Sequence, residues 1–179
     1  MDYQKILTFW FDECEPSQWF KKDLVFDQLI KDRFSGIHGN VSQGEKASWR
    51  KTITGRLAEI IVLDQFSRNL FRDEPKSFVY DGMALVLTQE AIATGKSAQL
   101  STQQRAFLYM PLMHSESLVI HEEAMKYFGE TGMESYLEFE KKHRDILIRF
   151  GRYPHRNEIL NRQSTSEEIA FLKEPNSSF

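Results

Sequence analysis

The chain has 179 residues, 26 acidic against 23 basic side chains for a net charge of -3, and 41% hydrophobic residues. A mildly acidic whole disfavours nucleic acid, because non-specific binding rests on neutralising phosphates. The single cysteine, Cys14, excludes an intrachain disulfide and a cysteine-rich metal centre.

No apolar run approaches the ~20 residues of a membrane span, and the N-terminal MDYQKILTFWFDECEP lacks a signal-peptide pattern, so the expected location is the cytoplasm. The length fits a single domain, one able to hide roughly 70% of its unfolded surface.

Helical periodicity runs almost throughout. YQKILTFWF (3–11) reads as a short helix stopped by DECEPSQ and its proline. In DLVFDQLIKDRF (23–34), Leu24, Phe26, Leu29, Ile30 and Phe34 recur at helical spacing until Ser35 and Gly36. HGNVSQGEKASW then reads as a loop leading into a short helical turn. GRLAEIIVLDQFSRNLF (55–71) is a further helix, and Pro75 suits the first turn of the next one, which ends before Gly95.

LSTQQRAFLYMPLMHSESLVIHEEAMKYF (100–128) is one long helix or two, kinked or restarted near Pro111. GETGM turns the chain, and MESYLEFEKKHRDILIRF (133–150) returns as a helix capped by Gly151. STSEE (164–168) offers two overlapping capping boxes for a last short helix, and 174–179 reads as a flexible tail. No alternating strand and no repeat consensus is visible. The expected class is all-α, a multi-helix antiparallel bundle in one domain, 1–179.

Three groups of polar residues break the pattern. On a helical wheel of about 100° per residue, Leu57, Ile61, Asp64 and Arg68 share a narrow sector, and Asp64 can pair with Arg68 four residues on. Apolar residues cover the rest of that helix, so the pair is buried and must be satisfied. It is either a structural ion network or the lining of a pocket in which Arg68 meets an anion.

His114 and His121 lie on one side of the helix after Pro111, and His143 on the inner stripe of the returning helix. A tight turn near residue 131 or 132 would set His121 opposite His143, with Glu140 one turn away. These histidines either bond hydroxyls and carbonyls in the core, share a polar pocket, or join a carboxylate around a metal. No metal-binding spacing supports the last, so no metal and no cofactor is expected.

Finally, HRDILIRFGRYPHRN (143–157) follows its helix with Arg152, His155 and Arg156 around a Tyr-Pro turn. They complement the helix dipole or form a forked anion site on a pinned loop.

LDQFSRNLFR (63–72), FLYMPLMHSES (107–117), HRDILIRFGRYPHRN (143–157) and the opening FWF with its following WF together resemble the DUF924 family of bacterial proteins, over nearly the whole chain. The matching positions include Asp64, Gln65, Arg68, Asn69, Arg72, His114, His143, Arg152, His155 and Arg156; the family pattern has proline where Ser67 stands. The resemblance implies an all-helical fold grouped with the tetratricopeptide-like superfamily, and no catalytic role.

Together these readings describe a helical protein whose polar pocket binds a small anionic ligand through Asp64, Arg68, His114, His121, His143, Arg152, His155 and Arg156. An enzymatic version would use one histidine as general base. The alternative is an interaction scaffold that receives a peptide or protein partner in a groove between helix pairs. Nucleic acid and membrane are not expected partners, and the sequence carries no signal for oligomeric state.

Overall fold

Every residue from Leu57 to Ser67 is buried, and this segment is the axis on which the other elements pack. The computed structural model describes residues 1–175 and residue 177, with helices and turns and no strand among them. The axis is α3 (Ile53–Ile61), one widened π-type turn (Val62–Phe66) and α4 (Ser67–Leu70), continuous along the chain. Around it run α1 (Gln4–Thr8), α2 (Leu24–Ser42), α5 (Asp81–Ala93) and α6 (Thr102–Met113). A hairpin of α7 (Leu118–Phe128) and α8 (Glu134–Phe150) packs on α6, and α9 (Ser166–Phe171) closes the described chain.

The N-terminal half is held by aromatic rings. Phe9 lies 4.6 Å from Phe34, Phe34 lies 5.0 Å from Phe66, and Trp19 meets Phe107 edge-on at 4.9 Å. Such pairs add about 0.5–1.5 kcal/mol beyond the area they bury. The Trp19 indole also donates to Trp10 O at 3.0 Å, which fixes the loop after α1 against the core.

Two expectations for α2 are corrected. The helix does not stop at Gly36 but continues to Ser42, taking in much of the expected loop. Phe26, Ile30, Phe34, Ile37 and Val41 form one buried row. Burying Ile37 and Val41 contributes about 1.5–3 kcal/mol each, more than the ~0.5–1 kcal/mol that each helical glycine costs. Leu24 and Leu29 are exposed, because the row that faces inward starts from Phe26.

The expected break near Pro111 also moves. Pro111 stays inside α6, near its end, and the chain leaves helix at His114–Ser117. His114 therefore belongs to a connection and not to the face of α7.

Beyond α8, Gly151 takes the left-handed conformation (φ +70°) that caps the helix, as anticipated. Of the two overlapping boxes in STSEE, Thr165 with Glu168 is used to start α9. Within the expected tail 174–179, residues 176, 178 and 179 lie outside the described residues; Ser177 Oγ donates to Leu172 O at 3.1 Å. Among the described residues no helix is long and apolar enough to cross a membrane.

The start of α3 carries a tight constraint. Thr52 Oγ1 caps it by accepting from Gly55 N at 3.0 Å, and a Cβ on Gly55 would fall 2.1 Å from Trp49 O. Backbone cannot yield as a flexible side chain can. Gly55→Ala is therefore expected to destabilise the protein by roughly 3 kcal/mol, read as a lower denaturation midpoint with an unchanged slope.

Candidate functional site

The π-type turn at 62–66 widens the helix by one residue, a feature frequent at functional positions. It lets two consecutive polar side chains, Asp64 and Gln65, both lie buried. Asp64 Oδ1 accepts from Arg68 Nη1 at 2.9 Å and pairs with His114 Nδ1 at 2.7 Å, while Oδ2 accepts from Gln65 Nε2 at 2.5 Å. Burial opposes the charge on this carboxylate, but Arg68 and His114 more than offset that and hold its pKa well below the usual range.

Arg68 forks onto Asp81 with two bonds of 3.0 Å. Asp81 also accepts from Arg156 Nη1 at 3.2 Å, and Arg156 Nη2 donates to His114 O at 3.0 Å. Four segments thus meet in one network: the axis, the start of α5, the α6–α7 connection and the Tyr-Pro loop. Arg156 is flanked by the rings of Phe78 and Tyr153, 4.6 and 4.8 Å from their centroids.

Tyr153, fully buried, organises the remaining histidines. Its hydroxyl donates to Met113 O at 2.6 Å, and its ring lies 5.7 Å from His143, 5.5 Å from His155 and 6.4 Å from His121. The expected face-to-face level of His121 and His143 is corrected: Glu140 stands opposite His121, with Oε1 at 2.5 Å from Nδ1. The turn between α7 and α8 spans Gly129–Met133, centred on residue 131 as the sequence suggests, yet the hairpin sets Glu140, three residues before His143, at the level of His121. His121 and Glu140 are wholly buried, and burial raises the Glu140 pKa, so a proton on one atom or the other closes the contact. His143 gives Nδ1–H to Phe139 O at 2.8 Å.

A cleft of about 510 Å³ opens on this network. Its walls include Arg68, His114, His143, His155 and Arg156 from the expected set. Asp64 and His121 stand behind the walls, and Arg152 lies elsewhere, forked onto Glu168 at 2.7 and 2.8 Å, where it ties α9 to the end of α8. A second cavity of about 370 Å³ shares Phe78, His114 and Arg156 with the first. Among the described residues no group of three or more His, Cys, Asp and Glu side chains is placed to hold a metal ion.

Several site residues escape a reading of the sequence alone. Asp81 has the look of a first-turn acid on a helix, which is a common stabilising placement, and nothing in its spacing links it to two distant arginines. Lys21 and Lys142 join the cleft from positions just outside the stretches that resemble the family, and Trp19 and Phe20 join it from the WF pair, which shares that resemblance but carries no chemical signal of its own. Arg72 does lie within a stretch that resembles the family; it is forked onto Asp27 at 2.5 and 2.7 Å, with Asn69 donating to the same carboxylate at 2.8 Å.

A family model described as a bacterial protein of unknown function, DUF924, matches residues 6–176. The chain belongs to the DUF924 family. This DUF924 chain is also similar to the solved structure of a protein of unknown function from Agrobacterium tumefaciens, with 36% identity, 96% of each chain covered and a TM-score of 0.90. A comparison with curated proteins gives no match. In this DUF924 member Ser67 Oγ and His38 Nε2 are 2.8 Å apart and both residues are buried.

Burial lowers the pKa of His38 to about 4, of His143 to about 3 and of His155 to about 4. These folded-state values lie below the unfolded value near 6.5, so the unfolded chain takes up protons first as pH falls. The stabilising neutral state is complete above pH 6.5 and is lost toward pH 4. Each such histidine is expected to remove about 1.4 kcal/mol per pH unit once the pH is well below 6.5. Melting temperatures from pH 7.5 to 4.5 should fall steeply, and His38→Gln should flatten that fall.

Proposed function

We propose that the larger cleft binds a small organic anion with a flat apolar body. One observation carries this reading. The described wall holds Lys21, Arg68, Arg72, Lys142 and Arg156, with Asp73 as its one carboxylate. The three arginines are held from behind by Asp64, Asp81 and Asp27, so they are pre-oriented as planar donors. Lys21 and Lys142 are exposed at the mouth and supply the surplus positive charge that draws an anion in. Among the other wall residues, Trp19, Phe20, Phe78, Tyr136, Phe139, Met110 and Met113 offer a surface that suits an apolar or aromatic body. The volume of about 510 Å³ falls inside the ~300–1,000 Å³ of small-molecule sites.

A second reading has its own support. Val79, Met83 and Val86 lie exposed at helical spacing along α5 and its entry, an apolar row that a partner helix could cover.

Anilinonaphthalene sulfonate, a flat apolar anion, tests the first reading by fluorescence titration. Binding at one site is expected, weakened roughly tenfold when Lys21→Glu and Lys142→Glu are combined. Lys173→Glu, an exposed change away from the cleft, should leave it unaltered. Equal affinity in the wild type and the double variant would count against an anion site.

A further inference from the structure

The histidines differ in what stands behind the ring. His38 is bonded to Ser67 and is absent from the cleft walls, and His121 is wholly buried with Nδ1 on Glu140 and Nε2 on Ser115 O at 2.9 Å. His143 gives its Nδ1–H to a backbone carbonyl. His114, like His121, places Nδ1 against a carboxylate, Asp64 Oδ1 at 2.7 Å, but does so on a ring that lines both cavities.

Asp64 is ionised and can only accept, and Arg68 and Gln65 already donate to it. Nδ1 of His114 must therefore carry the hydrogen, which leaves the lone pair on Nε2. That nitrogen makes no hydrogen bond to the described residues. The side chain keeps 17% exposure, so solvent reaches a ring whose base is fixed in tautomer and direction. Burial and Arg68 favour the neutral ring at rest, while Asp64 favours the imidazolium once a proton arrives. Arg68 keeps Asp64 from taking that proton itself. This is the division of labour a general base needs.

We propose that the cleft is a hydrolytic site, in which His114 activates water against a carboxylate-bearing ester and Asp64 is its positioning residue. The proposal rests on the cleft being the ligand site. Water is the attacking group because the serine and Tyr153 hydroxyls of the walls are not set up as nucleophiles. Ser77 Oγ donates to Glu74 O, and Ser115 Oγ makes no bond to a described histidine. Tyr153 donates to Met113 O, while the His121 Nε2 that lies 3.1 Å from it carries a hydrogen given to Ser115 O and cannot accept a proton. Nε2 removes a proton from water as its oxygen bonds to the ester carbonyl carbon. The imidazolium then passes that proton to the departing alkoxide as the C–O bond breaks, giving a carboxylic acid and an alcohol and restoring the neutral ring.

The two cavities locate the bond that breaks. His114, Phe78 and Arg156 form their shared partition, so a substrate spanning both has its ester beside His114. The carboxylate end belongs among the cations of the larger cleft. The alcohol end belongs against Leu85, Pro111 and Leu160 of the smaller one.

The p-nitrophenyl ester of acetic acid and the mono-p-nitrophenyl ester of succinic acid are the probes. Full-length protein should hydrolyse the succinate ester faster than buffer, with a lower KM than for the acetate. His114→Gln should lose at least about 100-fold of the protein-dependent rate. Asp64→Asn should lower kcat with KM nearly unchanged, a split that a merely structural role would not give. If either variant melts below the assay temperature, diethyl pyrocarbonate on wild type replaces it: carbethoxylation mapped to His114 should abolish turnover. Hydrolysis that survives in His114→Gln or after that modification, or a wild-type rate equal to buffer, overturns the proposal. Loss of the succinate preference alone would refute the anion reading and leave the catalytic one standing, while anilinonaphthalene sulfonate binding without hydrolysis gives the reverse.

Discussion

A carboxylate enclosed by protein is the constraint from which the rest of this structure follows. Stripped of water, Asp64 would cost several kcal/mol if it stood alone. Arg68, Gln65 and His114 must therefore reach it, and Arg68, itself half enclosed, must find Asp81. Asp81 in turn engages Arg156, whose loop is tied down by Tyr153 and by Glu116, which pairs with Arg162 at 2.7 Å and accepts from Tyr153 N at 2.7 Å. One enclosed charge thus dictates where four separate stretches of chain come together.

The two halves of the molecule are stabilised differently, and the cleft lies where they meet. On one side rings pack against rings, with Phe9, Trp10, Phe34, Phe66 and Phe107 fully buried. On the other side a small cluster of Ile146, Leu147, Tyr153 and Phe171 is supplemented by polar ties, Arg152 to Glu168 and Arg162 to Glu116. Aromatic packing gives a rigid wall, and the ion pairs orient donors across from it. A site needs both, since binding groups are only as well placed as the shell that supports them.

Much of this was legible in the sequence because it rests on local rules. Helical spacing, Gly151 after α8 and the Thr165–Glu168 box each act within a few residues of chain. The burial of Asp64 and its pairing with Arg68 were readable for the same reason, from a wheel apolar on nearly every side, whereas the opening of the cleft beside Arg68 was not. The misreadings come from the places where distant packing wins. Gly36 and Gly39 favour a break that the burial of Ile37 and Val41 overrides. Arg152 sits beside Arg156 in a basic run, yet it turns outward to Glu168, because chain direction after a left-handed glycine is not encoded in charge. Topology alone brings Asp81 to the arginines and Lys21 and Lys142 to the cleft.

The widened turn at Val62–Phe66 carries an evolutionary corollary. A widened turn holds one residue more than an ordinary helical turn, so a single deletion there would restore a regular spiral with Arg68 close to its present direction, and would take one of the two adjacent polar side chains, Asp64 or Gln65, out of the core. The extra residue is thus the spare place that admits a second enclosed polar group, and a chain that lost it would keep its helix and forfeit that group.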